Sequence, residues 1–245
     1  MYRFSCGLNS GSAEKIISYL KNIEGGDKFA ILCILEQSGK VEHIKEIIRQ
    51  LCCEGVIISG YDSLLLQRSS MQLLEIAARN GILIEYVSLS NCLQSVDTSA
   101  AAIKTTSGLV FTSRIPVKWI EVSLYNRDMT EDEATDVLKF ASMCPSLRLL
   151  VYGYCVPPQS FEDGLVLSNL KSRNVQVWWQ GADAEPIHIL NLQSGRWENR
   201  DSGSEPTAKD FERMRSVRGE RRIGRTKEMY REIVKVGREN LRGNR

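Results

Sequence analysis

Apolar positions in the first fifty residues recur at helical spacing. Ile16, Ile17, Leu20 and Ile23 share one side of a helix that Ser12 is placed to cap, and Gly25-Gly26 ends it. Phe29 to Leu35 is apolar nearly all round, the pattern of a buried helix. Val41, Ile44, Ile47, Ile48, Leu51 and Cys52 then form a single apolar stripe, with Glu42, Lys45, Glu46 and Arg49 on the opposite side.

From Val56 the pattern changes to short β-branched runs that alternate with helical ones. The predicted strands are Val56–Ile58, Ile84–Leu89, Trp119–Leu124, Leu149–Tyr152 and Val175–Trp179; the predicted helices between them are Ser69–Arg79, Thr98–Lys104, Glu131–Cys144 and Phe161–Lys171. Thr130 followed by Glu133 is a capping-box signature for the third of these helices.

Alternating strands and helices fit either a doubly wound sheet or a repeat array, and the spacing decides between them. Ile84-x-x-Val87-x-Leu89-x-x-Cys92 and Leu147-x-x-Leu150-x-Tyr152-x-x-Cys155 both follow the leucine-rich template L-x-x-L-x-L-x-x-N/C. Trp119-x-x-Val122-x-Leu124-x-x-Arg127 and Asn174-x-x-Val177-x-Trp179-x-x-Ala182 follow it loosely. The last positions, Cys92, Arg127, Cys155 and Ala182, are 35, 28 and 27 residues apart, near the leucine-rich period once an insertion around Thr106 to Pro116 is allowed. The template places its first, fourth, sixth and ninth residues inward, the ninth turning the chain after a short strand; Cys is small enough to bury there, whereas Arg127 and Ala182 cannot supply the hydrogen bonds of an Asn.

Charge separates one region from the rest. The formal net charge is +2, but residues 209–245 hold 13 Lys and Arg against six Asp and Glu. A linker-like Asp201-Ser-Gly-Ser-Glu-Pro206 precedes this stretch, in which Arg213, Arg215, Arg218, Arg221, Arg222 and Arg225 form a candidate basic patch. Glu212, Glu220, Glu228, Glu232 and Glu239 interrupt it and aromatic residues are few, so a solvated helix or a disordered end is expected before nucleic-acid binding. Seven scattered cysteines, an odd number without paired spacing, fit a reducing, cytoplasmic setting and neither a disulfide framework nor a zinc site. No apolar run has the length of a membrane span, and none of signal type follows Met1.

Candidate chemistry is sparse. His43 lies beside Glu42 on the polar side of its helix and His188 in a late apolar run, neither with a partner at triad or H-E-x-x-H spacing. Glu131-Asp132-Glu133 suits the first turn of a helix on dipole grounds alone. No catalytic residue, metal ligand or cofactor is expected. Residues between the inward template positions would instead form a binding face: Ser88, Ser90, Ser123, Tyr125, Val151, Gly153, Trp178 and Gln180.

Arg3-Phe4-Ser5-Cys6-Gly7-Leu8 ahead of an amphipathic helix resembles the F-x-x-G-L element at the end of the helical region in NACHT-leucine-rich-repeat (NLR) receptors. Met129 to Trp179 resembles the repeats of large invertebrate NLR expansions, such as those of lancelets. The order of parts agrees over residues 2 to 200. The phosphate loop G-x-x-x-x-G-K-[ST] is missing, because Gly39-Lys40 is followed by Val41 and Ile34 stands where its first Gly belongs. The resemblance therefore implies a C-terminal receptor fragment or truncated paralogue without the nucleotide switch.

The expected fold is α/β: helices over residues 1–55, a degenerate ribonuclease-inhibitor-like leucine-rich solenoid with a capping segment over 56–200, its helices on one side, and a basic tail over 201–245. The expected function is non-enzymatic recognition or autoinhibition in an innate immune sensor, with a protein partner or another domain of the receptor as its target. Nucleic-acid binding through the arginine-rich tail and a small α/β enzyme of unknown class are the rivals; the first would show steeply salt-dependent binding, the second a pocket with perturbed titratable groups.

Overall fold

The computed structural model describes residues 10–21, 23, 26–34, 45–125, 127–153, 157–180 and 188–199, all within a compact unit of residues 1–200. Three helices come first: α1 (Ser10–Lys21), α2 (Asp27–Ile34) and α3 (Lys45–Glu54). Ile47, Ile48, Leu51 and Cys52 of α3 are buried as their spacing predicts. Two expectations are corrected here. α1 begins at Ser10, so Ser12 lies within it and does not cap it, and Phe29 of α2 and Ile23 after α1 are 62% and 41% exposed.

The principal sheet has seven strands in the order β1 (Val56–Ser59), β2 (Ile84–Ser90), β6 (Val117–Ser123), β7 (Leu149–Gly153), β8 (Gln176–Gln180), β9 (His188–Asn191) and β10 (Arg196–Asn199). The first five run parallel and follow one another in chain order; β9 and β10 are an antiparallel hairpin at the end. Connections between neighbouring parallel strands are right-handed as a rule, which puts successive crossovers on the same side of such a sheet. The core agrees. Val56, Ile58, Val87, Leu89, Ile120, Val122, Leu150, Tyr152 and Val177 join the buried residues of the helices in one apolar cluster. Each fully buried aliphatic chain in it is worth about 1.5 to 3 kcal/mol relative to exposure.

Cys92 shows why this position accepts cysteine. Its thiol is fully buried and donates to the Ile58 carbonyl at 3.4 Å, tying the turn after β2 to the strand before it. Arg127 departs from the template, since it turns outward and pairs with Glu133 at 2.6 Å. Cys155 and Ala182 lie outside the described residues.

Helix α4 (Leu64–Arg79) starts five residues before the expected Ser69. Ser63 caps it by accepting from the Leu66 N–H, and Ser69, fully buried, satisfies its hydroxyl on the Leu65 carbonyl at 2.7 Å. A polar pair inside the helix had masked its periodicity. Helix α5 (Glu131–Met143) has the predicted capping box in full: Thr130 accepts from the Glu133 N–H and Glu133 accepts from the Thr130 N–H. Helix α6 (Gly164–Ser172) starts after Asp163, whose carboxylate takes the Val166 N–H; Phe161, expected within it, precedes it and is buried.

The predicted helix Thr98–Lys104 is not formed. A three-stranded antiparallel sheet of β3 (Leu93–Asp97), β4 (Ala102–Thr105) and β5 (Val110–Thr112) stands there, so the insertion begins well before Thr106. Asp97 accepts from the Ser99 hydroxyl at 2.6 Å and the Ala100 N–H at 3.0 Å, and Ala101 at φ 49° reverses the chain into β4. Ile103 and Phe111 are thereby buried, Phe111 with its ring 5.9 Å from that of Phe140 on α5. This meander takes the place of a crossover helix between β2 and β6.

At the other end Trp179 faces the core, where Trp197 of β10 meets it at 6.1 Å and also packs edge-on against Tyr152 and Phe161. The Trp197 indole donates to the Pro158 carbonyl at 2.8 Å, and β9–β10 forms the last two strands of the sheet. No helix among the described residues is long and apolar enough to cross a membrane.

Candidate functional site

Parallel pairing brings the side chains that point away from the helices into rows across the sheet. Ile57, Ser88, Glu121, Val151, Trp178 and Ile189 make one row; Ser59, Ser90, Ser123, Gly153 and Gln180 make the next; Tyr86, Trp119 and Leu149 lie before them. Seven of the eight predicted face residues fall in two adjacent rows: Ser88, Val151 and Trp178, then Ser90, Ser123, Gly153 and Gln180. Tyr125 does not join them. It follows the end of β6, is 47% exposed, and donates its backbone N–H to Asn91 Oδ1.

The centre of this face is buried, while its margins are not: Ile57 is 37% exposed, and Ser59, Trp119, Gln180 and Ile189 are half-buried. Ser88, Ser90, Ser123, Val151 and Trp178 are at most 8% exposed, as are Tyr86 and Leu149, although none of these apolar residues belongs to the helix-side core cluster. Side chains that alternate along each strand thus serve two separate buried layers.

At the centre stands Glu121, a residue that is not among the face positions expected from the sequence. It is 4% exposed. The Tyr86 hydroxyl on β2 donates to its Oε2 at 2.5 Å, while Oε1 is turned over Gly153 on β7. The carboxylate therefore reaches across three strands. Two glycines make room for this: a Cβ on Gly153 would stand 3.0 Å from Oε1, and one on Gly55, itself at φ 93°, would stand 2.7 Å from the Tyr86 ring. The Ser123 hydroxyl, on the same face as Glu121 and fully buried, has no hydrogen-bond partner among the described residues. The signal for Glu121 was legible as the single charge in Trp119-Ile-Glu-Val-Ser-Leu124, since a lone acid inside an apolar strand needs a reason.

The remaining candidates have other surroundings. His188 stacks on Trp179 with ring centroids 4.4 Å apart. His43 and the tail arginines 213, 215, 218, 221, 222 and 225 lie outside the described residues. Burial pushes the thiols of Cys52, Cys92 and Cys144 up to about 12, away from nucleophilic reactivity. Glu131 and Asp132 sit in the first turn of α5 with Glu133, whose carboxyl is held low first by its hydrogen bond to Arg127. No group of three or more His, Cys, Asp or Glu suited to a metal occurs among the described residues. An open cleft of about 480 Å³ lies between the end of α6 and β9, lined by Asn174, Gln176, Ile189 and Asn191 with Lys171 as its titratable group.

Compared with known proteins, the chain matches no protein-family model, no curated protein and no solved structure.

Proposed function

We propose that the chain is a binding module that takes a polypeptide segment at the accessible margin of the sheet face that carries the Glu121 row, beginning at Ile57. The observation that carries this reading is the second buried layer: aromatic rings, serine hydroxyls and one carboxylate assembled away from the helices. Mixed aromatic and polar composition of this kind characterises the buried centre of recognition surfaces more than a plain core. The strand order, the inward template positions and the Cys92 thiol on the Ile58 carbonyl support a short leucine-rich solenoid as the scaffold. Within the resemblance to NLR receptors, the segment comes from a partner protein or from another domain of the receptor, and the module acts without catalysis in a cytoplasmic immune sensor.

The test is a selection of peptides from a random library on the full-length chain, followed by photo-crosslinking. A photoreactive residue in place of Ile57, 37% exposed at the margin of the face, is expected to capture the selected peptides, and one in place of the exposed Glu75 on α4 is not. Capture from Glu75 alone, or from neither position, overturns the reading.

A further inference from the structure

The cleft between the end of α6 and β9 lies toward the other end of the sheet from Ile57. Its volume of about 480 Å³ falls within the range of about 300 to 1,000 Å³ typical of ligand sites. We propose that it binds the carboxyl terminus of a polypeptide. Lys171 takes the terminal carboxylate, the carboxamides of Asn174, Gln176 and Gln193 take main-chain groups of the last residues, and Ile189 and Leu192 receive an aliphatic side chain.

The lining chemistry selects this class of ligand. A carboxamide both donates and accepts, and an extended residue turns its own N–H and C=O to one side, so a single Asn or Gln can take both. The side chains of Lys171, Asn174, Gln176 and Gln193 make no hydrogen bond or ion pair among the described residues, which leaves these groups to a ligand. Asn191 differs: its Nδ2 donates to Glu198 at 2.6 Å and its Oδ1 accepts the Gln193 and Ser194 N–H groups at 2.8 and 3.2 Å, fixing the wall that carries Gln193. On the α6 side Asn174, at φ 59°, takes the left-handed conformation that ends the helix, with its N–H on the Lys171 carbonyl and the Val175 N–H on the Leu170 carbonyl. Both walls are thus held in shape by the chain itself. Arg173 donates to the Ser142 and Cys144 carbonyls and Arg148 to the Arg173 carbonyl, so the cation that lines the cleft is Lys171, a single ammonium for a single carboxylate. No aromatic ring is among the described lining residues, which leaves a nucleobase nothing to stack on.

The experiment titrates the full-length chain with fluorescently labelled pentapeptides that end in Val, Leu or Ile, made with a free carboxylate or a carboxyl-terminal amide, and reads their anisotropy. The acids are expected to bind at least about fivefold more tightly than the amides, the margin of a hydrogen bond to a charged group over one to a neutral group. Lys171→Met, at an exposed position, is expected to remove that difference. Asn174→Gly, which keeps the left-handed turn, is expected to weaken acid and amide alike. Circular dichroism checks that both variants keep the fold. Equal binding of acids and amides, binding of neither, or variants that bind as the wild type does overturn the proposal. A cleft that takes glucuronic acid and no peptide is a sugar site, and the assignment to a polypeptide then fails. None of these outcomes bears on capture at Ile57, so the two readings stand or fall separately.

Discussion

The carboxylate of Glu121 lies over Gly153 so closely that a single added methyl group would meet it: a Cβ at Gly153 would stand 3.0 Å from Oε1 and 3.1 Å from the Ser123 Cβ. Gly153→Ala is therefore expected to cost about 1 to 3 kcal/mol, the range for overpacking a filled site. In the background of Glu121→Ala that cost should fall in part, because one of the two atoms that resist the methyl is gone while the Ser123 Cβ remains. Urea unfolding of the four variants of this cycle measures the coupling directly.

The cap of α5 gives a prediction in pH. Thr130→Ala should lose about 1 kcal/mol at neutral pH, the usual worth of such a cap. Glu133 titrates below the ordinary carboxylate range in the folded chain, first through its hydrogen bond to Arg127 and then through the Thr130 N–H. A depressed folded value means that its contribution is present above the unfolded value of about 4.3 and is lost as pH falls through the folded one. The difference in urea midpoint between wild type and Glu133→Gln should accordingly shrink below about pH 4. A difference that stays constant from pH 7 to pH 3 would contradict this.

Thiol chemistry separates the described cysteines. Cys53 is exposed, whereas Cys33, Cys52, Cys92 and Cys144 are buried. Alkylation under native conditions should modify Cys53 first and reach Cys52, Cys92 and Cys144 only on unfolding, as peptide mapping over time would show. These three thiols are raised from 9.0 to about 12, so their contribution to stability is complete below about pH 9 and is lost as pH rises toward 12.

Tyr152 is fully buried, and its hydroxyl donates to the Ala134 carbonyl of α5 at 2.7 Å in the core. Tyr152→Phe keeps the ring contacts with Phe161 and Trp197 and removes this one bond. The expected loss is about 0.5 to 1.5 kcal/mol, larger if the freed carbonyl finds no water. Thermal unfolding that is unchanged would show that the bond adds nothing net.

These residues also show how far the sequence could be read. Strand positions, the cap of α5 and the burial of Cys92 were legible because each depends on near neighbours or on a strict period of two. Thr98 to Lys104 was misread for the opposite reason: its alanines favour a helix locally, but the turn at Asp97 and Ala101 and the pairing with β3 and β5 bury Ile103 more effectively. The face residues were located by alternation, yet their burial was not foreseen, because sequence period tells which side a residue takes and not how deep that side lies. Glu121 was missed because its partners, Tyr86 and Gly153, come from strands 35 and 32 positions away in the chain.

The antiparallel hairpin β9–β10 has a consequence for how such a protein can grow. Parallel strands joined by repeated crossovers have no built-in stopping point, and an open edge invites further strands from the same chain or from another. Here the direction of the chain reverses, β10 is four residues long, and Ser160 and Phe161 already bond to Arg196 and Gly195. A further parallel strand would have to enter upstream of this hairpin, between strands that already share a core, so the sheet could be widened from its middle while this edge stays untouched.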